Sequence, residues 1–336
     1  MAWRPNHRRL VDFSAFNKME RKVLILTHLD DSHASSVRNY LNKREVENFT
    51  IVTENLLRDY KINFSSEDLI YTLSDGNRTI GLTPSWNIWN RRIMIPDRNK
   101  GMPKDLQDLV TDECEKTWDG LLMAHKGKVV NRPQNHFHAN SKLDQIKFAL
   151  ESGMYVPDTI VTNNSPNLRD FYDKHNGNIC FKLQKGAVIR TLEGNKVVYT
   201  NKVTEEQMRN ASLVSGHPSL FQEYIDKEFE IRVVATDKTA TGIAIHSQDS
   251  EISKVDYRRY DLENVKYNHI ELPKNVGNFC SSMLAHYGLH FGAFDFIYSK
   301  EGKYFFLELN PNGQWLWLEE QSKYNLTKEV ADNLLE

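Results

Sequence analysis

The sequence predicts a mixed α/β and α+β protein of two or three domains. Three observations predict it. A continuous apolar run, Lys22–Thr27, leads through a polar helical stretch into a second strand, the pattern of a βαβ unit. The middle of the chain alternates short strands with helices. Near the end, Phe291–Asn310 forms a strand–turn–strand pattern whose apolar flanks are interrupted by carboxylates. With 336 residues there is ample material for more than one core.

Residues Met1 to about Glu20 are polar and basic with no clear period, and they precede the first strand as an extension in which Met19 is a candidate natural start. After Lys22–Thr27, a helix runs to about Lys43 and Phe49–Thr53 supplies the next strand. Asp68–Leu73 and Arg78–Leu82 flank Ser74-Asp75-Gly76-Asn77 and read as a hairpin. Trp86–Arg92 is an aromatic and cationic cluster, Lys104–His125 an amphipathic helix, and Val129–Asn131 a short strand ended by Pro133. An α/β domain over residues 21–133 follows from these elements.

The next region opens with a helix over about Ser141–Glu151, closed by Gly153, and a strand at Thr159–Thr162. Ser165-Pro166 reads as a serine cap followed by proline in the first turn. Strands at Ile179–Leu183 and Lys196–Thr200 are expected to flank a turn at Glu193-Gly194-Asn195, with a helix from about Thr204 to Leu213. This is an α+β module over residues 134–218. Residues 219–336 then hold Leu220–Ile225, strands at Phe229–Ala235 and Thr241–His246, a helix at Asn275–Tyr287, the hairpin, and a terminal helix from about Thr327. No flexible linker separates these last two regions, which are expected to face one another across a cleft.

The formal net charge of −2 gives no electrostatic reason to expect nucleic acid or an anionic membrane as the main partner. Cys114, Cys180 and Cys280 are far apart and lack CxxC spacing, which argues for a reducing compartment and against structural zinc. No apolar run approaches a membrane span, and the N-terminus has no apolar signal core. A soluble, cytoplasmic protein is expected.

The hairpin carries the chemistry. With a turn centred on Glu301-Gly302, Asp295 lies opposite Glu308, and Asn310, two residues on, shares their face. Isolated acids on hairpins are ordinarily solvated. Here they interrupt Phe294-Asp295-Phe296 and Phe306-Leu307-Glu308-Leu309, where an ionised carboxylate is costly unless paired or metal-bound. Two carboxylates and an amide oxygen suit a hard divalent cation with open positions for water and phosphate oxygens. The arrangement points to Mg²⁺-dependent use of a nucleoside triphosphate.

Other candidates are individually weaker. Lys182, inside an apolar strand, is either a snorkelling edge lysine or a cation reaching phosphates from a sheet. Lys142 alone reads as a surface lysine. Arg258 and Arg259 are either a solvated pair or a fork for phosphate oxygens. Gln222-Glu223-Tyr224-Ile225 suits a strand offering backbone groups to an adenine edge, with a carboxylate among the following residues for ribose. Without the hairpin this stretch is an ordinary edge strand.

In order, LILTHLDDSHASSV, the WNRR segment Trp89–Arg92, NRPQNHFHANSKLDQIKFALESGMYVPDTIVTN, FKLQKG, YTNKV, FQEYI, FEIRV, DYRR, FGAFDFI and FLELNPNGQWLWLE resemble the ATP-grasp superfamily. More narrowly they are similar to the microviridin-type peptide maturases, or graspetide synthetases, over roughly Lys22 to Leu335. The resemblance implies an ATP-grasp fold with an N-terminal pre-ATP-grasp domain, a central α+β module and a C-terminal ATP- and Mg²⁺-binding sheet domain. It implies phosphate contacts from Lys142 and Lys182, an adenine site at Gln222, Glu223, Tyr224 and Ile225, and ribose binding by Glu230, with Glu228 as a substitute. Arg232 and Arg258 would stabilise the transferring phosphate, and Asp295, Glu308 and Asn310 would hold Mg²⁺. The covering loop Gln184–Val188 departs from relatives in having one glycine.

The activity implied is ATP-dependent joining of Asp or Glu side chains of a ribosomal precursor peptide, bearing leader and core, to Ser/Thr hydroxyls or Lys amines. Similar enzymes are commonly homodimers, though no interface can be read from this chain. The alternatives are a ligase adding free amino acids to a peptide or protein terminus, a nucleotide binder without turnover, and a kinase-like transfer that stops at phosphate.

Overall fold

The computed structural model describes residues 20–67, 69–94, 102–184, 188–191, 194–197, 199–259, 261 and 263–336, with the backbone alone in 188–191 and 194–197. Residues 1–19, most of the expected extension, Lys185–Ala187 of the covering loop, and Glu193 of the expected turn lie outside them. The chain forms two compact units, residues 1–130 with 334–336, and residues 131–333.

The first unit opens as the apolar run requires. β1 (Lys22–Thr27), α1 (Ser32–Lys43) and β2 (Asn48–Val52) form a βαβ unit, with Leu24 opposite Phe49 and Leu26 opposite Ile51 in parallel register. Val23 to Leu26 are fully buried, which explains the lack of alternation in this strand. α2 (Leu56–Asp59) leads to β3 (Lys61–Ser65), β4 (Ile70–Ser74) and β5 (Thr79–Gly81), a three-stranded antiparallel sheet. The β4–β5 hairpin is the one expected; β3 was not, because none of its residues is fully buried and no apolar alternation marks it. The aromatic–cationic cluster contains β6 (Trp86–Asn90), which pairs in parallel with β1. α3 (Lys104–Ala124) and β7 (Val129–Val130) complete a sheet of order β2-β1-β6-β7, with Trp118, Leu121 and Leu122 of α3 in the core beside Leu26 and Ile88.

α1 begins where it does because of Asp31. Its carboxylate accepts from the amides of His33 (3.0 Å) and Ala34 (3.4 Å) and from Thr27 Oγ1 (2.9 Å), and it pairs with Arg91 Nε at 3.4 Å. Both side chains are almost wholly buried, at 3% and 1% exposure.

In the second unit α4 (Pro133–Ala139) starts at the proline expected to end a strand, a position proline favours because it needs no amide partner there. α5 (Lys142–Glu151) is capped by Ser141, then β8 (Thr159–Thr162) and α6 (Ser165–Lys174) follow. The cap of α6 is Asn164, which accepts from Asn167 N (3.1 Å), rather than Ser165. β9 (Ile179–Lys182) does not flank the expected turn. Instead β10 (Val188–Thr191) and β11 (Gly194–Val197) form their own hairpin, and β9 lies between β12 (Asn201–Lys202) and β13 (Ser219–Glu223). α7 (Glu205–Arg209) precedes β13 behind a Thr204–Gln207 capping box, and a 3₁₀ turn replaces its expected end. The resulting antiparallel sheet, β12-β9-β13-β8, runs across residue 218.

β14 (Lys227–Thr236), β15 (Ala240–Ile245), β16 (Tyr267–Ile270), α8 (Lys274–Tyr287), β17 (Phe291–Ser299) and β18 (Tyr304–Asn310) form the largest sheet and its cover, with strand order β16-β15-β14-β17-β18. Phe279 of α8 packs edge-on to Phe296 and Phe306, and Ile231, Val233 and Met283 share that core. α9 (Leu316–Ser322), which the sequence reading lacked, and α10 (Leu326–Asn333) close the unit. Trp315, fully buried just before α9, donates from Nε1 to Thr327 Oγ1 at 3.3 Å.

The hairpin holds the expected pairing for an unexpected reason. Its end is one residue tighter than a turn centred on Glu301-Gly302, pairing Tyr298 with Tyr304 and Phe296 with Phe306. In that register Asp295 would face Leu307. The register then shifts, so that Asp295 faces Glu308 and Ala293 faces Asn310, with Leu307 as the extra residue of a β-bulge.

Acid stability tests the Asp31 cluster. Burial raises the Asp31 carboxyl, but hydrogen bonds from His33 and the Arg91 charge outweigh it and hold the group below the usual range. Its contribution is therefore whole above about pH 4, the unfolded value, and is lost as pH falls toward the folded value. Asp31→Asn, which keeps a capping acceptor, is expected to cost about 3 kcal/mol at pH 7 and to flatten the acid limb of stability measured by urea unfolding.

Candidate active site

The site is built on one row of the large sheet. Ile243, Arg232, Asp295 and Glu308 are successive partners across β15, β14, β17 and β18. Arg232 Nη1 donates to both Asp295 oxygens, at 2.8 and 2.7 Å, and Tyr257 Oη donates to Oδ1 at 3.0 Å. Arg232 and Asp295 are each 6% exposed, so the arginine supplies the charge that a carboxylate in this core needs. Glu308 is ion-paired with Lys142 of α5. Asn310 is exposed, and its Oδ1 accepts from Asn312 N at 3.1 Å.

α5 is held against β18 by a side chain that imitates a strand. Gln145, 2% exposed, donates from Nε2 to Leu309 O and accepts at Oε1 from Leu309 N, both at 2.8 Å. Nε2 also donates to Ala139 O at 2.6 Å. This clamp fixes the first turn of α5, and with it Lys142, over Glu308.

A cavity of about 920 Å³ is lined by Lys142, Lys182, Gln222 to Ile225, Glu230, Arg258, Asp295, Glu308 and Asn310, whereas Arg232, which bonds Asp295, and the candidates Arg259 and Glu228 are not in its lining. Lys182 of β9 reaches it without an acidic partner among the described residues, and burial together with the Arg258 charge lowers its pKa. Arg258 is oriented by Asp256, donating from Nε at 2.8 Å and Nη2 at 2.6 Å. Burial raises the Asp256 carboxyl, yet these bonds bring it down to about 2, and they raise Arg258 in return. Three cations from separate elements, Lys142, Lys182 and Arg258, thus surround one space that also contains Asp295 and Glu308.

The opposite end of the cavity carries β13 and the residues after it. Gln222, 2% exposed, donates from Nε2 to Thr159 Oγ1 at 3.0 Å, while its Oε1 has no hydrogen-bond partner among the described residues. The amides of Glu223 and Tyr224 are committed to Asp158 O and Asn178 O, each at 2.8 Å, which leaves the Ile225 amide as the uncommitted one of the three among the described residues. Lys202 Nζ lies 3.7 Å from the Tyr224 ring centroid. Glu230 lines the cavity, whereas Glu228 is exposed and lies outside it. Glu230 Oε1 accepts from Lys227 Nζ at 2.6 Å; burial raises this carboxyl against the lysine's pull.

Comparisons with known proteins bear on the fold and the class of enzyme. Residues 22–136 match the family model described as the MvdD pre-ATP grasp domain. An ATP-grasp ligase from Chryseobacterium gregarium, described as RiPP-associated and in complex with ADP and a leader and core peptide, superimposes with a TM-score of 0.85 at 26% identity, covering 94% of this chain and 96% of that one. The fold and enzyme class are those of an ATP-grasp ligase. This ligase also resembles the macrocyclase MdnB from Microcystis aeruginosa, with TM-score 0.75, 27% identity, and coverage of 94% and 99%. MdnC of the same organism, bound with precursor peptide MdnA, shares the fold at 24% identity and TM-score 0.81, covering 93% and 99%. No curated protein matches the sequence.

Four residues that support the ligase site escape sequence reasoning. Tyr257 sits inside the quoted DYRR segment, but its hydroxyl contact with Asp295 needs the fold to be seen. Asp256 reads as one more surface acid, Lys227 as a strand-end lysine, and Gln145 as a polar helix residue. Only Gln145 leaves a trace, as a polar position on the otherwise buried side of α5 that holds Ala149.

Gly313 is the close-approach point of the site. A Cβ there would overlap the Ala293 methyl and lie 2.5 Å from Arg232 Nη2. Gly313→Ala is expected to displace the Arg232 guanidinium from Asp295, lowering stability by about 1–3 kcal/mol in denaturant titration and reducing ATP turnover with it.

Proposed function

We propose that this ligase activates Asp or Glu side chains of a ribosomally made precursor peptide and joins them to Ser/Thr hydroxyls or Lys amines of the same peptide. The carrying observation is the single cavity in which Lys142, Lys182 and Arg258 face Asp295 and Glu308, with Gln222 to Ile225 at its other end. Three cations around one space, Lys182 among them without an acidic partner among the described residues, suit a polyphosphate; the orphaned Gln222 carbonyl and the Ile225 amide suit the donor and acceptor of an adenine edge. Glu230 is the carboxylate within reach of a ribose, held in place by Lys227.

Asp295, Glu308 and Asn310 fit Mg²⁺, because all three offer hard oxygen donors from one face of the hairpin. A bound Mg²⁺ would offset the negative charge of the polyphosphate. Lys142 neutralises Glu308 as the structure stands, and its ammonium would be available to a phosphate oxygen were Glu308 to hold the cation. Arg258, steadied by Asp256, and Arg232, behind Asp295, supply fixed positive charge where the phosphoryl group is transferred.

In the reaction the substrate carboxylate oxygen attacks the γ-phosphorus, the bond to the β-phosphate bridging oxygen breaks, and ADP leaves. The hydroxyl or amine then attacks the acyl carbon, phosphate departs with the carboxylate oxygen, and the nucleophile loses its proton. Both reacting groups belong to the peptide, so the protein's work is positioning and charge stabilisation. Peptide as substrate is supported by the leader and core peptide held by the Chryseobacterium ligase. The use of ATP and three free, buried cysteines accord with a cytoplasmic enzyme.

Intact mass spectrometry of a candidate precursor peptide, taken from any small reading frame beside the gene that encodes Ser/Thr and Asp/Glu in plenty, incubated with enzyme, ATP and Mg²⁺, is expected to show loss of one water for each bond formed. Glu308→Ala is expected to reduce the yield at least 100-fold. Addition of an amino-acid mass would identify a terminal ligase, addition of a phosphate a kinase-like transfer, and no change with ATP bound a silent nucleotide binder.

A further inference from the structure

A second group of ligand-type side chains lies at the edge of the cavity, which His138 also lines. His138 on α4, Asp144 in the first turn of α5 and His286 in the last turn of α8 place their ligand atoms within 4.8 Å of one another. We propose that these three residues form a binding site for a transition-metal dication, of the kind Zn²⁺ occupies, distinct from the Mg²⁺ site on the hairpin.

Donor chemistry argues for it first. Two imidazoles and one carboxylate are the ligand set of a borderline metal, whereas Mg²⁺ takes oxygen. Ligand atoms around a tetrahedral zinc stand about 3.3 Å apart, and His138 Nε2 already lies 3.3 Å from Asp144 Oδ2. His286 needs only a side-chain adjustment to join them.

The surroundings also hold the ligands in orientation. Tyr287 Oη donates to Asp144 Oδ2 at 2.8 Å, the second contact that metal-bound carboxylates ordinarily have. The Tyr287 ring meets both imidazoles edge-on, His138 at 4.9 Å and His286 at 4.7 Å between centroids, and Phe148 packs on His286 at 4.5 Å. His286 sits at the carbonyl end of the 14-residue α8, where positive charge is favoured. A metal here would tie α4, α5 and α8 together. It would also anchor the first turn of α5 two residues from Lys142, so the site bears on the position of that cation.

The test is visible absorption of chelator-treated full-length protein titrated with Co²⁺ in excess Mg²⁺. The expected result is one equivalent of Co²⁺ giving an intense four-coordinate d–d band, unchanged in Glu308→Ala. His286→Ala and the isosteric Asp144→Asn are expected to weaken binding at least 100-fold, and Tyr287→Phe about 10-fold. Absence of the band in the native protein, its persistence in both ligand variants, or its loss in Glu308→Ala would each overturn the assignment.

Discussion

The charged end of the cavity depends on the row Arg232–Asp295–Glu308 across three neighbouring strands. Asp295 lies between Phe294 and Phe296 on β17 and turns its carboxylate to the other face of the sheet, where at 6% exposure an unpaired charge would be costly. Arg232 meets that need from the adjacent strand, and Tyr257 adds a third hydrogen bond. The sheet's backbone pairing fixes the partners; the bulge at Leu307 then turns Glu308 rather than a leucine toward Asp295. A slip of one residue in β18 would remove a carboxylate from the site while leaving the hairpin's apolar packing near its turn intact.

Around that row the protein collects charge from separate elements. Lys142 arrives on α5, held by the Gln145 clamp to Leu309. Lys182 arrives on the smaller antiparallel sheet, and Arg258 on a short 3₁₀ turn fixed by Asp256. Lys142 and Arg258 are held by contacts within the protein, and Lys182 by its place on β9, so the three charges are in position without a ligand. Preorganisation of this sort is how an enzyme without a covalent nucleophile stabilises phosphoryl transfer.

Much of this was legible in the sequence where burial is strong and local. Lys22–Thr27 is apolar throughout because its residues are covered on both faces, and α5 and α8 declare themselves by period and caps. The acids of the hairpin stood out because they interrupt core residues, and the structure pairs Asp295 with Glu308 as their spacing suggests. What stayed hidden depends on contacts remote in sequence. The tighter turn and the bulge at Leu307 cancel, so spacing alone gave the pairing without the cause. β3 carries too little burial to leave a pattern, and Asn164 caps α6 one residue ahead of a serine that looks equally suited. Gln145, Asp256 and Tyr257 act on partners that only folding brings near.

Transfer of oxygen from a peptide carboxylate to phosphate tests the account most directly, because it follows the bond on which carboxylate activation rests. Precursor peptide labelled with ¹⁸O in its Asp and Glu side chains, turned over with ATP, is predicted to yield inorganic phosphate carrying one ¹⁸O for each crosslink. Phosphate free of label, with crosslinked peptide formed, would contradict carboxylate activation by phosphoryl transfer at this site.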